Sequence, residues 1–368
     1  MAGGRFDLDA AAMERLLEEA REHKGESLWQ DARRRLRRNR PAWYALLFLA
    51  VFVVTSFLAP LLPLRSPVLS DLDHALEAPQ LDGGDGEWLS HLGEDPGPRE
   101  VERAYWQLSG LDHALLRARR AVFGSWQTGT WLGTDHLGRD LLSRIVWGSR
   151  TSILVALAAT LCSLVIGVFY GSLSGLLGGR LDNLMMRIVD ILYSVPFIFV
   201  VIFLITLIGD HRETLEQEYG LDREKVFYLV IGAVYWLTMA RVVRGQVLSL
   251  KRSEFVEAAR VMGASTLHIL VRHIVPNVLS IVIVYLTLTI PAVMLFEAFL
   301  SFLGLGVEPP KVSWGLIAVD GTSAINPLAI HWWVVLFPAL AMGSTLLALN
   351  VLGDGMRDAL DPKMRGRD

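Results

Sequence analysis

Residues 153–177 read ILVALAATLCSLVIGVFYGSLSGLL, a run without a single charged side chain. About twenty apolar residues suffice to carry a helix across the hydrocarbon core of a bilayer, so this run predicts a transmembrane helix. Outward from it, Trp43–Leu62 precedes, and Ile188–Gly209, Val226–Ala240, Val278–Leu303 and Ala329–Leu352 follow. Val226–Ala240 is short and must borrow flanking residues to span. The pattern predicts an all-α, polytopic membrane protein with six transmembrane helices. Composition agrees: 52 % of the 368 residues are hydrophobic and the mean hydropathy is +0.39, too apolar for a chain whose surface must face water. A net charge of −3 gives no reason to expect a nucleic-acid partner. The single cysteine, Cys162, lies inside the quoted run, where it reads as a small packing residue and excludes a disulfide within one chain.

The sequence divides accordingly. Residues 1–42 form a charged N-terminal segment with an amphipathic helix expected over Leu8–Lys24 and a basic run, Arg33-Arg34-Arg35-Leu36-Arg37-Arg38-Asn39-Arg40. The first apolar run starts behind this segment, so no cleavable signal peptide is expected and residues 43–63 should stay as an anchor. Residues 64–152 read as an extramembrane loop or small subdomain, with Pro and Gly scattered through Leu81–Pro98 and a helical pattern around Val101–Val122. Residues 153–353 form a five-helix core with a polar loop at 251–276, and residues 354–368 a tail. Lys and Arg in short loops are retained on the cytoplasmic side. The basic N-terminal run, Arg180 and Arg187, the stretch Arg241–Arg272 and the tail (Arg357, Lys363, Arg365, Arg367) then fall inside, while Asp210–Lys225, with six acidic against three basic residues, falls outside. One topology satisfies every short loop, with both termini cytoplasmic in an inner membrane.

Within the core, Gly167, Gly171, Gly175 and Gly179 recur every four residues, a stripe on which a neighbouring helix can approach closely. Pro196 and Pro291 sit within apolar runs, where a missing N–H and a ring clash predict kinks. Asp190 and Glu297 are ionisable groups in or near these runs and are functional-site candidates for that reason. Asp190 stands one turn from Arg187, with which it can pair, whereas Glu297 is, with Pro291, the better candidate for lining a pathway or a permease interface. Before the second span, Gly133-Thr134-Asp135 followed by Arg139-Asp140 reads as a structural turn that caps and orients the entering helix, Asp140 and Arg144 being spaced to pair.

The most informative loop is Ser253-Glu254-Phe255-Val256-Glu257-Ala258-Ala259-Arg260-Val261-Met262-Gly263-Ala264-Ser265-Thr266-Leu267-His268. Ser253 suits an N-cap, Glu254 and Glu257 suit the first turn, and Gly263 suits a left-handed stop. Ser265 or Thr266 can cap a second helix, and Pro276 marks the turn into the next span. Small Ala258 and Ala259 beside Phe255 and Met262 make a compact face fit for a groove on another protein, or for the chain's own bundle.

Glu257-Ala258-Ala259, three residues, Gly263, then Pro276 resembles the EAA loop of binding-protein-dependent ABC importer permeases. His273 and Val275 depart from the general pattern, where Ile and Leu are usual. Arg272-His273-Ile274-Val275-Pro276-Asn277, Leu132 to Asp140, and Leu300 to Gly306 followed by Pro309-Pro310 and Ser313-Trp314-Gly315 are similar to the peptide-importer branch. The resemblance covers residues 131–363 and implies a type I permease fold, with Glu257, Ala258, Ala259 and Gly263 coupling to an ATPase. It further implies a second homologous permease, two ATPase subunits that use ATP and Mg, a periplasmic solute-binding protein, and a di- or oligopeptide substrate. No cofactor, metal or catalytic residue is expected on this chain, which has no Gly-Lys dipeptide and therefore no P-loop. Nickel or another small solute is the alternative cargo. An ion-coupled carrier is a further reading, as is a membrane enzyme using Asp135 and His136 as a metal or acid–base pair.

Overall fold

The computed structural model describes residues 28–85, 104–106, 108–209, 211–220, 223–326 and 329–360. The expected helix at Leu8–Lys24, part of the Leu81–Pro98 stretch and the tail beyond Leu360 lie outside these residues. The basic run forms helix α1 (Leu28–Arg38), and α2 (Arg40–Phe57) begins where the Asn39 side chain accepts a hydrogen bond from the Ala42 N–H at 3.3 Å. Pro41 suits the first turn of α2 because its missing N–H would have no intrahelical partner. The helix ends five residues before the expected Leu62, because Pro60 and Pro63 cannot continue it.

A small unit follows in which strand β1 (Gly83–Asp85) pairs antiparallel with β2 (Trp126–Thr128), Gly83 opposite Thr128. Between them lies α3 (Gly110–Phe123), opened by a reciprocal capping box between Ser109 and Asp112. Arg119 of α3 donates to the Tyr105 hydroxyl (3.0 Å) and the Leu64 carbonyl (2.7 Å), and the Tyr105 and Trp106 rings pack on Trp147.

Helix α4 (Leu141–Leu177) corrects the expected boundary, since residues 141–152 are its first turns and not loop. Asp140 caps it by accepting from the Ser143 N–H at 2.8 Å. The charge in these turns is paired: Arg150 donates to both carboxylate oxygens of Asp112 at 2.7 and 3.1 Å. Helices α5 (Gly179–Ser194) and α6 (Phe197–Gly209) replace the third span expected at Ile188–Gly209; they meet at Val195-Pro196 and are bent by 86°. The proline breaks the helix where a kink was expected.

After α7 (Arg212–Tyr219), α8 (Arg223–Leu250) runs well past the apolar stretch Val226–Ala240, because Arg241 and Arg244 find partners on α5. Two short helices, α9 (Glu254–Val261) and α10 (Thr266–Ile269), lead through a π turn at Leu270–Ile274 into α11 (Val275–Phe302). Pro276 marks no turn; it sits in the first turn of α11, and the helical path is continuous from Thr266 to Phe302. Pro291 is likewise accommodated inside α11. Helix α12 (Trp314–Ser323), the hairpin β3 (Ile325–Asn326) and β4 (Ala329–Ile330), and α13 (Trp332–Leu360) complete the chain. Among the described residues, five helices are long and apolar enough to cross a membrane, and the bent pair makes six if it counts as one span.

The spine of the bundle is the contact of α4 with α8. A Cβ on Gly171 would lie 2.3 Å from the Ala240 carbonyl oxygen, and one on Gly167 would lie 2.6 Å from the Met239 Cβ. Gly175 faces Val247 in the same way, and Cys162 fills the space opposite Gly232. Gly179 does not belong to this stripe: α4 ends before it, and it meets no neighbour within 4 Å. Gly171→Val is therefore expected to lower the thermal midpoint in mild detergent, overpacking costing about 1–3 kcal/mol. Gly245→Ala, on the same helix pair but with open space around it, should leave the midpoint unchanged or slightly raised, since Ala is the better helix former.

Candidate functional site

Helix α9 is held to its own chain by two side chains. Val256 and Ala259 are buried against Leu176, Val247, Ile269 and Ile274. At about 100° per residue, Ala258 then faces away while Phe255 and Met262 flank the buried side, and all three are exposed together with Glu254, Glu257 and Arg260. The expected face of Ala258 beside Ala259 is thus divided, one alanine anchoring the helix and the other presenting it. Val261 and Met262 are 89 % and 81 % exposed, too open for side chains that simply finish a core. Gly263 stops the helix in the left-handed region at φ 84°, and the Ser265 hydroxyl caps α10 by accepting from the His268 N–H at 3.3 Å. Ser253 occupies the N-cap position, but its hydroxyl turns back and donates to the Leu250 carbonyl at 2.6 Å.

Polar ties fix the bundle immediately behind this loop. Lys251 donates to the Leu176 carbonyl at the end of α4 (2.5 Å). Asp182, buried in the first turn of α5, accepts from Ser174 of α4 at 2.5 Å and from the Arg244 guanidinium of α8 at 2.5 and 2.7 Å. Three helices meet on that one carboxylate.

At the opposite end, Asp135 accepts from Arg139 Nε (2.8 Å), from Arg144, and from the backbone N–H groups of Leu137 (2.8 Å) and Arg139 (3.0 Å). Arg139 and Arg144 reach on to Asp320 of α12 at 3.0 and 2.6 Å, closing a ring of two arginines and two aspartates. Arg144 does not pair with Asp140, as its spacing suggested, because Asp135 and Asp320 already hold it. Burial pushes the Asp135 carboxyl up, but the Arg144 and Arg139 guanidiniums and the backbone donors outweigh it and hold the group below the usual carboxylate range. A carboxylate so fully engaged has no lone pair free for a metal or a substrate proton, which removes the basis for an enzyme built on Asp135 and His136.

The remaining sequence candidates separate. Glu297 is wholly buried, its carboxylate accepting from Ser152 of α4 (2.9 Å) and Ser301 (2.8 Å), while Ser152 also accepts from the Trp314 N–H (3.2 Å). It ties α4, α11 and α12 and is enclosed by its own chain, so it presents nothing to a pathway or a second permease; Pro291 is buried too. Asp190 is open and pairs with Arg241 at 2.8 Å instead of with Arg187.

A family model described as "Binding-protein-dependent transport system inner membrane component" matches residues 167–366, more than half of the chain. The chain belongs to this family. The permease also matches, over residues 27–79, a model described as the N-terminal TM domain of oligopeptide transport permease C. It is 42 % identical over 344 residues to the oligopeptide transport system permease protein OppC of Escherichia coli K12, covering 94 % of each chain. It is 39 % identical to the OppC of Haemophilus influenzae, covering 93 % of this chain and 91 % of that one, and 46 % identical over 235 residues to the dipeptide transport system permease protein DppC of Bacillus subtilis, covering 64 % and 69 %. Among solved structures, an inward-facing MetNI methionine ABC transporter matches 60 % of the permease and 98 % of that chain, with 20 % identity and a TM-score of 0.48.

Sequence reasoning missed Asp182, Arg244, Arg241 and Asp320. An acidic residue just after Gly178-Gly179 signals a helix start, but nothing local identifies an arginine 62 positions away as its partner. Asp140 supplies a pH test. Burial pushes its carboxyl up to about 7, against the Ser143 N–H and Arg65, which pull it down. The folded permease then holds a proton at Asp140 that the unfolded chain has released, so this group's contribution falls as pH rises from the ordinary carboxylate value to about 7 and is flat on either side. Asp140→Asn keeps the cap, because Asn also serves at N-cap positions. It is expected to raise the thermal midpoint at pH 8 more than at pH 5.

Proposed function

We propose that this permease is the membrane subunit of an ATP-driven importer of di- or oligopeptides. It works beside a second homologous permease, is fed by an extracytoplasmic solute-binding protein, and is driven by two separate ATPase subunits that use ATP and Mg; it binds no cofactor itself. Basic α1 packs beside Gly355 on α13, whose opposite end carries Trp333 against Thr134, which supports a cytoplasmic position for the α1 end of the bundle and for both termini. The peptide assignment is supported by relatives named for oligopeptide and dipeptide transport that align over nearly the whole chain.

The observation that carries the reading is the split of α9, locked inward by Val256 and Ala259 and presenting Phe255, Glu257, Ala258, Val261 and Met262 outward. An amphipathic helix laid into a groove of a partner gives this pattern. Glu257 and Ala258 are proposed to contact the ATPase, Ala259 to seat the helix, and Gly263 to end it. When nucleotide closes the two ATPase subunits, α9 is carried with them. The ties at Lys251 and Asp182 pass the movement to α4, α5 and α8, so that the passage between the two permeases changes the side to which it opens.

Affinity purification in mild detergent tests this. The wild-type permease is expected to bring down a P-loop ATPase and a second permease. Glu257→Ala combined with Met262→Glu, both on exposed positions, should lose the ATPase and keep the second permease. Recovery of no ATPase with wild type would overturn the importer reading.

A further inference from the structure

Helix α5 has three faces. Asp182 and Val189 are buried against the chain itself, and Leu184, Ile188 and Ile191 form an exposed apolar face. The third face carries Asn183, Arg187, Asp190 and Ser194, all exposed and spaced by four, three and four residues, which places them in one line along the helix. Arg241 of α8 joins this line. Its Nη2 donates to Asp190 at 2.8 Å, and its guanidinium carbon lies 4.3 Å from the centre of the Tyr193 ring. Beyond Tyr193 the line runs into a cleft of about 330 Å³ at the 86° elbow, where Pro196, Phe197 and Thr238 are among the lining residues.

Depth makes this face unusual. Helix α8 has 28 residues and is about 42 Å long at 1.5 Å per residue. Arg241 lies about 14 Å from its α9 end, so even if the helix's whole excess of about 12 Å over a hydrocarbon core of about 30 Å lies at that end, Arg241 is within the core. One turn further on, Arg244 faces Asp182, whose side chain is only 8 % exposed. Asp190 and Arg241 by contrast are 66 % and 39 % exposed, although they lie a turn or more deeper. Ionised side chains at membrane depth face a bundle interior or a water-filled cavity and avoid lipid. The buried pair is a fastening; the open pair needs water or a polar ligand beside it.

We infer that the Asn183–Ser194 face borders a water-filled passage and that Asp190 and Arg241 form an ion-exchange station for the peptide passing along it. The ammonium groups of the peptide pair with Asp190 and its carboxylates with Arg241, so neither protein charge is left unpaired when their mutual bridge opens. The choice of cargo rests on the peptide-importer reading; the wet face does not.

The assembled complex in proteoliposomes, with its ATPases and binding protein, tests both parts. In a Cys162→Ser background, a water-soluble, membrane-impermeant thiol reagent is expected to label Asn183→Cys and Asp190→Cys and to leave Ile188→Cys unlabelled. Equal labelling of the two faces, or none on either, would overturn the wet face and leave lipid or the second permease as its cover. The station is read from ATP-driven uptake of trilysine against triglutamate, normalised to the occupancy of the binding protein by each. Asp190→Asn should lower that ratio about fivefold, the factor that 1 kcal/mol gives, and Arg241→Gln should raise it as much. Unchanged ratios would overturn the station, whereas absence of ATP-driven peptide uptake by the wild-type complex would overturn the importer reading beneath it.

Discussion

The close approach of α4 and α8 is the contact on which the rest of the molecule hangs. Lipid is as apolar as the helix surfaces, so helices in a bilayer gain little by hiding apolar area and associate through close packing and internal polar ties. Gly167, Gly171 and Gly175 supply the first by letting Ala240 and its neighbours come to backbone distance. Asp182 supplies the second, drawing Ser174, Arg244 and the start of α5 to one point. Helix α9 begins just beyond the end of α8 and is seated on the same apolar cluster, so its position is inherited from the glycine contact.

What could be read from the sequence follows the range of the forces involved. A stripe of glycines four apart is one helical turn repeated, and it is legible because the geometry is local; the error at Gly179 arose where α4 stops. The loop around Gly263 was legible for the same reason, since capping and left-handed stops depend on neighbours a few residues away. The ends of α4 and α8 were misplaced because Arg144, Arg150, Arg241 and Arg244 look like loop residues until their partners are known. Those partners, Asp320, Asp112, Asp190 and Asp182, are tens of residues distant or more, and no periodicity announces them.

Two carboxylates within apolar helices illustrate the limit. Glu297 and Asp190 both fall in or near apolar runs, and hydropathy alone marks each as a functional-site candidate, with Glu297 the better one. One reaches Ser301 four residues on, a tie visible in the sequence, and Ser152 on another helix, which is not. The other meets Arg241 across an open face. Burial, which the chain's own topology decides, is what separates a fastening from a contact site.

The same reasoning bears on how a movement at α9 could reach the far end of the bundle. From Thr266 to Phe302 the chain is one helical path, stiff along its axis, interrupted only by the π turn at Leu270–Ile274. Its far end carries Glu297 and Ser301, which are tied through Ser152 to α4 and the start of α12, and α12 joins the ring of Asp135, Arg139, Arg144 and Asp320. A push on α9 would therefore be delivered along α11 to a part of the molecule that is heavily cross-linked and resists it. The α5–α6 pair has the opposite character, with a break at Pro196 and few buried side chains along α5. Relative displacement should therefore concentrate at the elbow, beside the open Asp190–Arg241 pair. A passage that must change its shape is best built where the helix is already broken and its polar groups are already exposed.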